Sequence, residues 1–219
     1  MKISDFDNHG KSLVRLGITG GVGSGKTVVC DYLKQLGVTV VSTDQLARNA
    51  VMPGMPAFDK IVQCFGHNIL LEDGTLDRKK LRHLITEDKE KKTTLEQFVH
   101  PEVLAQITEA YAAALKKHES LISVEVPLLF EAGMRSLFDY VLTVTVRTDL
   151  RIQRIMERDH VSREEAIALM GIQMPEEEKI RRSDFVIENN GSLEDTRMRV
   201  GVFYKQLRSL MERQRVDKK

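Results

Sequence analysis

Residues 20–27 read Gly-Gly-Val-Gly-Ser-Gly-Lys-Thr, a complete G-x-x-x-x-G-K-[ST] spacing. Glycines at 20, 21, 23 and 25 let a backbone curl around an anion with its N–H groups turned inward. Lys26 brings a mobile charge to the β- and γ-phosphates, and the Thr27 hydroxyl offers an oxygen ligand to Mg²⁺. A helix starting near Lys26 adds unpaired amides and the positive end of its dipole. A purely structural glycine turn has no need of Lys and Thr in register. These residues point to binding of a nucleoside triphosphate.

Other charged residues could complete a phosphoryl-transfer site. Arg147, Arg151, Arg154 and Arg158 are spaced 4, 3 and 4 apart, which on a helix sets them along one ridge. Like charges at those spacings oppose a helix by roughly 0.2–0.5 kcal/mol per pair. The row is a solvated basic face or a lid that closes over a triphosphate, and the phosphate loop favours the lid. Asp44 follows an apolar run. It is either the acid of a helix N-terminus or a carboxylate that takes the proton of an attacking hydroxyl. Arg48, one turn on, could pair with Asp44 or reach an acceptor phosphate. Glu125 lies within another apolar run, in the place where phosphate-loop proteins keep an acid near Mg²⁺. Pro127-Leu128-Leu129-Phe130-Glu131 is an unusually apolar loop. His100, before Pro101, is a phosphate donor or a structural histidine.

The elements that must position these groups alternate between strand and helix. Leu13–Thr19 reads as a buried strand leading into a helix over Lys26–Leu36. Further apolar runs fall at Val38–Val41, Leu121–Val126, Tyr140–Val146 and Phe185–Ile187. Near-continuous apolar runs mark strands covered on both faces, hence a parallel sheet. Ser192 and Asp195 form an acidic variant of a capping box. They open a final helix whose stripe is Val200, Phe203, Tyr204, Leu207, Leu210 and Met211, with a charged fray from Arg213 to Lys219. Helical patterns over Ala57–Phe65, Asp77–Ile85, Thr93–Val99 and Pro101–Lys117 fill the span between the second and third strands. A second helical block covers Thr148–Arg182.

At 219 residues, the chain suits one α/β domain with insertions. A net charge of +1 gives no basic excess for a nucleic-acid partner. No apolar run approaches the ~18 residues that span a bilayer. Residues 1–12 lack a signal-peptide pattern and read as a loose tail. Cys30 and Cys64 are too few for a disulfide framework, and Cys30 reads as a buried thiol in the first helix. The expectation is a cytoplasmic protein without a membrane partner, a monomer or weak homo-oligomer.

Beyond these signals, the chain resembles the dephospho-coenzyme A kinase family over nearly all its length. Thr19–Thr27 differ from the family's loop only at Val22. Ser42-Thr43-Asp44 stands where the family has Asp-Ala-Asp, with Ala47-Arg48 following. Gly74–Arg78, Leu95-Glu96, His100-Pro101 and the Pro127–Glu131 loop match as well. So do Arg154, Arg158-Asp159, Gln173 and the segment Ser183–Gly191. Leu169 replaces an arginine that many members carry, so no lid contact is assigned there.

The resemblance implies a P-loop NTPase-type parallel five-stranded sheet with helices on both faces. The core would comprise 13–51, 119–147 and 183–213, with a helical acceptor-binding insertion over 52–118 and a helical lid over 148–182. It implies ATP and Mg²⁺, with transfer of the γ-phosphoryl group to the ribose 3′-hydroxyl of dephospho-coenzyme A. ATP would lie on Gly21, Val22, Gly23, Ser24, Gly25, Lys26, Thr27, Val28 and Asn190, and the metal on Thr27 and Glu125. Asp44, Arg48, Arg78, His100, Pro127, Leu128, Leu129 and Glu131 would hold the acceptor. Asp44, Lys26, Arg154 and Arg158 would carry the chemistry. A nucleoside or nucleotide kinase shares the loop, lid and insertion. A GTPase-like switch would need Asn-Lys-x-Asp and a downstream Asp-x-x-Gly, neither of which is present. Intact Lys26, Thr27 and Asp44 argue against an inactive scaffold.

Overall fold

The computed structural model describes residues 13–216. Its strands are β1 (Val14–Thr19), β2 (Thr39–Ser42), β3 (Leu121–Glu125), β4 (Tyr140–Thr145) and β5 (Phe185–Glu188), in the order β2-β3-β1-β4-β5. The pairs β1–β3, β1–β4 and β4–β5 are parallel, with Ile18 opposite both Glu125 and Leu142. Leu16, Ile18, Ile122, Val124, Leu142 and Val144 are fully buried, as two-sided coverage of a parallel sheet requires. β1 lies between β3 and β4, so the connections leave it in opposite directions. That reversal opens a crevice beyond the carboxyl end of β1, where residues 20–25 begin.

The helices are α1 (Lys26–Gln35), α2 (Thr43–Ala50), α3 (Pro56–Phe65), α4 (Arg78–Glu87), α5 (Lys89–Lys116), α6 (Thr148–Asp159), α7 (Arg163–Gly171), α8 (Glu176–Arg181) and α9 (Leu193–Val216). The chain forms two compact units, one of residues up to Val40 and from Ala114 onward, the other Val41–Ala113.

In the first unit, one sheet face is covered by α1 and α9. Val14, Leu16 and Ile18 pack with Val29, Cys30 and Leu33 of α1 and with Val200, Phe203, Leu207 and Met211 of α9. Cys30 is buried there, and burial raises its thiol far above the ordinary range, with Glu125 adding to the effect. Ser192 and Asp195 cap α9 reciprocally: Ser192 N–H donates to Asp195 Oδ2 at 2.8 Å, and Asp195 N–H to Ser192 Oγ at 3.1 Å. The expected fray at Arg213 is a correction, because α9 continues to Val216. Glu, Arg and Gln propagate a helix well. On the opposite face Gly17 lets Leu129 and Phe138 close over β1, for a Cβ there would lie 2.7 Å from Leu129 Cδ1 and 2.8 Å from Phe138 Cδ2.

The second unit has its own core of Ala57, Ile61, Ile69, Leu76 and Leu81, with Leu95, Phe98 and Val99 packed against it. Two separate helices were expected around Pro101. Instead α5 runs through it. Proline removes one helical hydrogen bond, but the Ala-rich stretch after it and the apolar residues before it favour helix on both sides. No helix among the described residues is long and apolar enough to cross a membrane. The tail expected over residues 1–12 lies outside the described residues.

Gly17→Ala overpacks the β1 face and is expected to destabilise the protein by about 1–3 kcal/mol. Urea denaturation of the two proteins measures it.

Candidate active site

The phosphate loop is held by its carbonyls. Lys26 Nζ donates to Gly20 O at 2.9 Å and to Gly21 O at 3.1 Å. Arg151 Nε donates to Val22 O at 2.7 Å, and Asn189 Nδ2 to Ser24 O at 2.9 Å. Gly25 O accepts the Val28 amide at 3.1 Å. With these oxygens satisfied by the protein, the loop amides that are not themselves committed, as Val22 N–H is to Gln173 and Ser24 N–H to Gly21 O, can serve a ligand. The start of an α-helix leaves amides that its own turns do not satisfy, and an anion is their natural occupant.

Two glycines are explained by what presses on the loop from behind. A Cβ on Gly21 would sit 2.0 Å from Arg151 Nη2. On Gly25, held at φ +88°, it would sit 2.0 Å from Asn189 Nδ2. The sequence reading took these glycines as clearance for phosphate. At these two positions the close neighbours are the protein's own clamps.

Asn189, next to the Asn190 named from the sequence, is a residue that holds the loop and that the sequence reading did not single out. Asn189 is buried, donates its N–H to Thr145 O at 2.7 Å, and accepts Thr196 Oγ1 on Oδ1 at 2.6 Å. Its own carbonyl takes Arg154 Nη2 at 3.1 Å. Asn190 Oδ1 instead accepts the Arg147 amide at 2.7 Å, tying the turn after β5 to the end of β4. The available signal was a buried polar pair, Asn189 and Thr196, seven residues apart across the α9 N-terminus.

The arginine row separates into four different environments. Arg147 precedes α6 and pairs with Asp149 at 3.4 Å, while Arg158 pairs with its neighbour Asp159 at 2.7 Å. Arg151 is 6% exposed and pairs with Glu176 at 3.1 Å, so it is neither a solvated face nor a finger over the crevice. Burial lowers the Arg151 guanidinium from its ordinary value and raises Glu176, against their mutual attraction. Arg154 is half-buried, and its Nη1 has no hydrogen-bond partner; neither has Ser24 Oγ. An orphaned guanidinium nitrogen beside Gly25 and an orphaned hydroxyl in the loop suit an incoming phosphate group.

The joint between α7 and α8 meets the loop as well. Gln173 Oε1 accepts the Val22 amide at 2.9 Å and Arg151 Nη2 at 3.3 Å. Met174 N–H donates to Glu131 Oε1 at 3.0 Å, and that oxygen also pairs with Lys179 Nζ at 2.8 Å. Burial would raise the Glu131 carboxyl, but the bonds from Lys179 and the Met174 amide outweigh it and hold the group below the ordinary range. In the same loop Leu129 and Phe130 are buried and Leu128 is exposed. Leu129 faces Gly17 rather than solvent, so in this structure its side chain is a core group.

The second unit carries Asp44, Arg48, Arg78 and His100, all exposed. Asp44 lies in the first turn of α2 with Arg48 in its last, and Arg78 opens α4 behind the capping residue Asp77. His100 lies within α5. Helix-terminal acid and reactive carboxylate are both compatible with the place of Asp44.

Among the described residues no group of three or more His, Cys, Asp or Glu side chains could hold a metal ion. A divalent cation here would depend on the exposed Thr27 hydroxyl, Glu125 at the end of β3, and phosphate oxygens. That all-oxygen set with few protein ligands is the kind Mg²⁺ accepts.

The sequence profile described as "Dephospho-CoA kinase" matches residues 14–195. A dephospho-CoA kinase of Carboxydothermus hydrogenoformans is 41% identical over 185 residues, covering 84% of this chain and 90% of the relative. A crystal structure from Thermus thermophilus has a TM-score of 0.78 at 36% identity, covering 90% of this chain and 99% of that one. A dephospho-CoA kinase structure from Campylobacter jejuni has a TM-score of 0.68 at 30% identity, covering 88% and 96%.

Asn189→Ala strips the Ser24 carbonyl of its side-chain donor and leaves the Thr196 hydroxyl only Ser192 O as acceptor. The expected loss is about 1–3 kcal/mol of stability, read by urea denaturation, together with weaker binding of an ATP analogue by titration calorimetry. Because the Glu131 carboxyl is lowered in the folded state, its stabilisation is complete above the ordinary glutamate value. It is lost as pH falls through the folded value. The stability gap between wild type and Glu131→Gln should therefore shrink as pH falls below the ordinary glutamate value of about 4.3, measured by urea unfolding at each pH.

Proposed function

The chain belongs to the dephospho-CoA kinase family, and on that premise we propose how its own residues carry the reaction. The enzyme catalyses the last step of coenzyme A synthesis. The ribose 3′-hydroxyl of dephospho-coenzyme A attacks the γ-phosphorus of ATP, the bond to the β–γ bridging oxygen breaks, and coenzyme A and ADP leave. The observation that supports this most is the clamped phosphate loop, set in a chain that matches the family profile from residue 14 to 195.

In this reading residues Gly21–Thr27 and the start of α1 cradle the triphosphate, with the Val22 amide committed to Gln173 and with Val28 and Asn190 on the nucleotide side. The Lys26 ammonium, with three donors, keeps its hold on the Gly20 and Gly21 carbonyls and turns its remaining N–H toward the β- and γ-oxygens. Arg154 brings its unpartnered Nη1 to the transferring group, and Arg158 leaves Asp159 to join it. These charges oppose the negative charge that spreads over the γ-oxygens in the transition state. Asp44 orients the 3′-hydroxyl and takes its proton. Arg48, Arg78 and His100, with the loop around Leu128, hold the acceptor, and residues 52–118 form its binding insertion. Thr27 and Glu125 would hold Mg²⁺, which supplies charge neutralisation on the phosphates. Residues 148–182 act as the lid.

The reading also places the enzyme in the cytoplasm as a monomer or weak homo-oligomer, without nucleic-acid or membrane partners. The net charge of +1 supports the last point.

A coupled ADP-release assay should show turnover with dephospho-coenzyme A and none with nucleoside monophosphates; the reverse pattern sinks the reading. Asp44→Asn is expected to lower kcat by about 10²–10⁴-fold and to leave ATP-analogue affinity nearly unchanged. Normal turnover by that variant would remove Asp44 from the chemistry.

A further inference from the structure

The Glu131–Lys179 pair reaches the phosphate loop by two routes. Glu131 Oε1 accepts the Met174 amide at 3.0 Å, and the preceding residue, Gln173, accepts the Val22 amide at 2.9 Å. On the other route Lys179 Nζ contacts Pro127 O at 3.5 Å. The same carbonyl accepts Thr19 Oγ1 at 3.3 Å, one residue before Gly20. Val22 is held by its side chain too, which packs against the cluster of Ile152, Ile155 and Ala166. The crest of the loop is thus fixed at its carbonyl by Arg151, at its amide by Gln173, and at its side chain by the α6–α7 core.

Lys179 is 1% exposed, an expensive place for an ammonium group. Apolar residues of similar volume commonly replace such a pair with little loss of stability. What they cannot replace is an acceptor for the Met174 amide. The pair is therefore better explained by geometry than by stability, and that geometry leads to the donor nucleotide.

We infer that Glu131 and Lys179 are positioning residues for the ATP side of the site. Together they hold Gln173 against Val22 and so set the shape of the triphosphate cradle, and Glu131 does not grip the acceptor. This departs from the role that the family resemblance implies for Glu131, and it rests on the dephospho-CoA kinase reading for the identity of the two substrates.

The test compares Glu131→Leu/Lys179→Met, Gln173→Ala, their combination, and Glu131→Gln in the full chain. Glu131→Leu/Lys179→Met should unfold near the wild-type urea midpoint. Its KM for ATP and Kd for a non-hydrolysable ATP analogue should rise by about 10–100-fold, with KM for dephospho-coenzyme A within about twofold. Gln173→Ala should show the same split, and the combined variant should be no worse than the weaker of the two. Glu131→Gln, which can still accept the Met174 amide, should restore ATP affinity. A rise in acceptor KM with ATP affinity unchanged overturns the inference, and so does additivity with Gln173→Ala. Should Glu131→Leu/Lys179→Met fail to fold, Gln173→Ala decides alone, and unchanged ATP affinity in it is the overturning result. A wild-type protein that binds the analogue but never phosphorylates dephospho-coenzyme A would defeat the functional reading instead. The analogue Kd values would still judge the positioning role.

Discussion

A backbone can present several amides to one anion only if its carbonyls are turned away and satisfied elsewhere. That constraint organises the first unit. Gly20 O and Gly21 O are taken by Lys26, Val22 O by Arg151, Ser24 O by Asn189 and Gly25 O by α1. The donors come from three elements far apart in sequence. The cradle's shape is therefore a property of the tertiary structure, although its motif is eight consecutive residues. Unpaired buried carbonyls would each be costly, which ties the fold's stability to the geometry that a nucleotide needs.

The sheet delivers those donors to one place. Parallel pairing of β4 beside β1, and of β5 beside β4, aligns the carboxyl ends of all three strands. The loop after β1, the start of α6 after β4 and Asn189 after β5 then converge at one edge. This is the edge at which open α/β sheets place ligands. Arg151 and Asn189 approach so closely that a Cβ at 21 or 25 would push them from their places on the loop. The four-residue spacing of these glycines thus records two protein contacts as well as the curl of the loop.

Much of this was legible in the chain. The loop spacing, the apolar runs of the strands and the α9 stripe are local patterns, and local patterns survive folding. Gly17 was read only as part of a strand, since its need is set by Leu129 and Phe138 more than a hundred residues away. Arg151 looked like one member of a basic row because periodicity cannot tell a buried guanidinium from a solvated one. The loop contact of Asn189 was not legible beside Asn190 because two adjacent amides are equivalent until the strand direction decides which turns inward. Pro101 suggested a boundary that its helix-forming neighbours override. The exposed polar groups proposed for the acceptor, Asp44 and Arg48 on α2, Arg78 on α4 and His100 on α5, are spread over three helices that no single periodicity links.

Cys30 follows from the same architecture. Its sulfur lies in α1, three residues past Thr27, walled in by β1 and α9, and burial keeps it protonated. Only thiolates enter disulfide exchange, and the pantetheine arm of the acceptor carries a thiol of its own. The helix that starts at the phosphate loop therefore keeps its own sulfur buried and protonated, poorly placed to exchange with the thiol of the substrate.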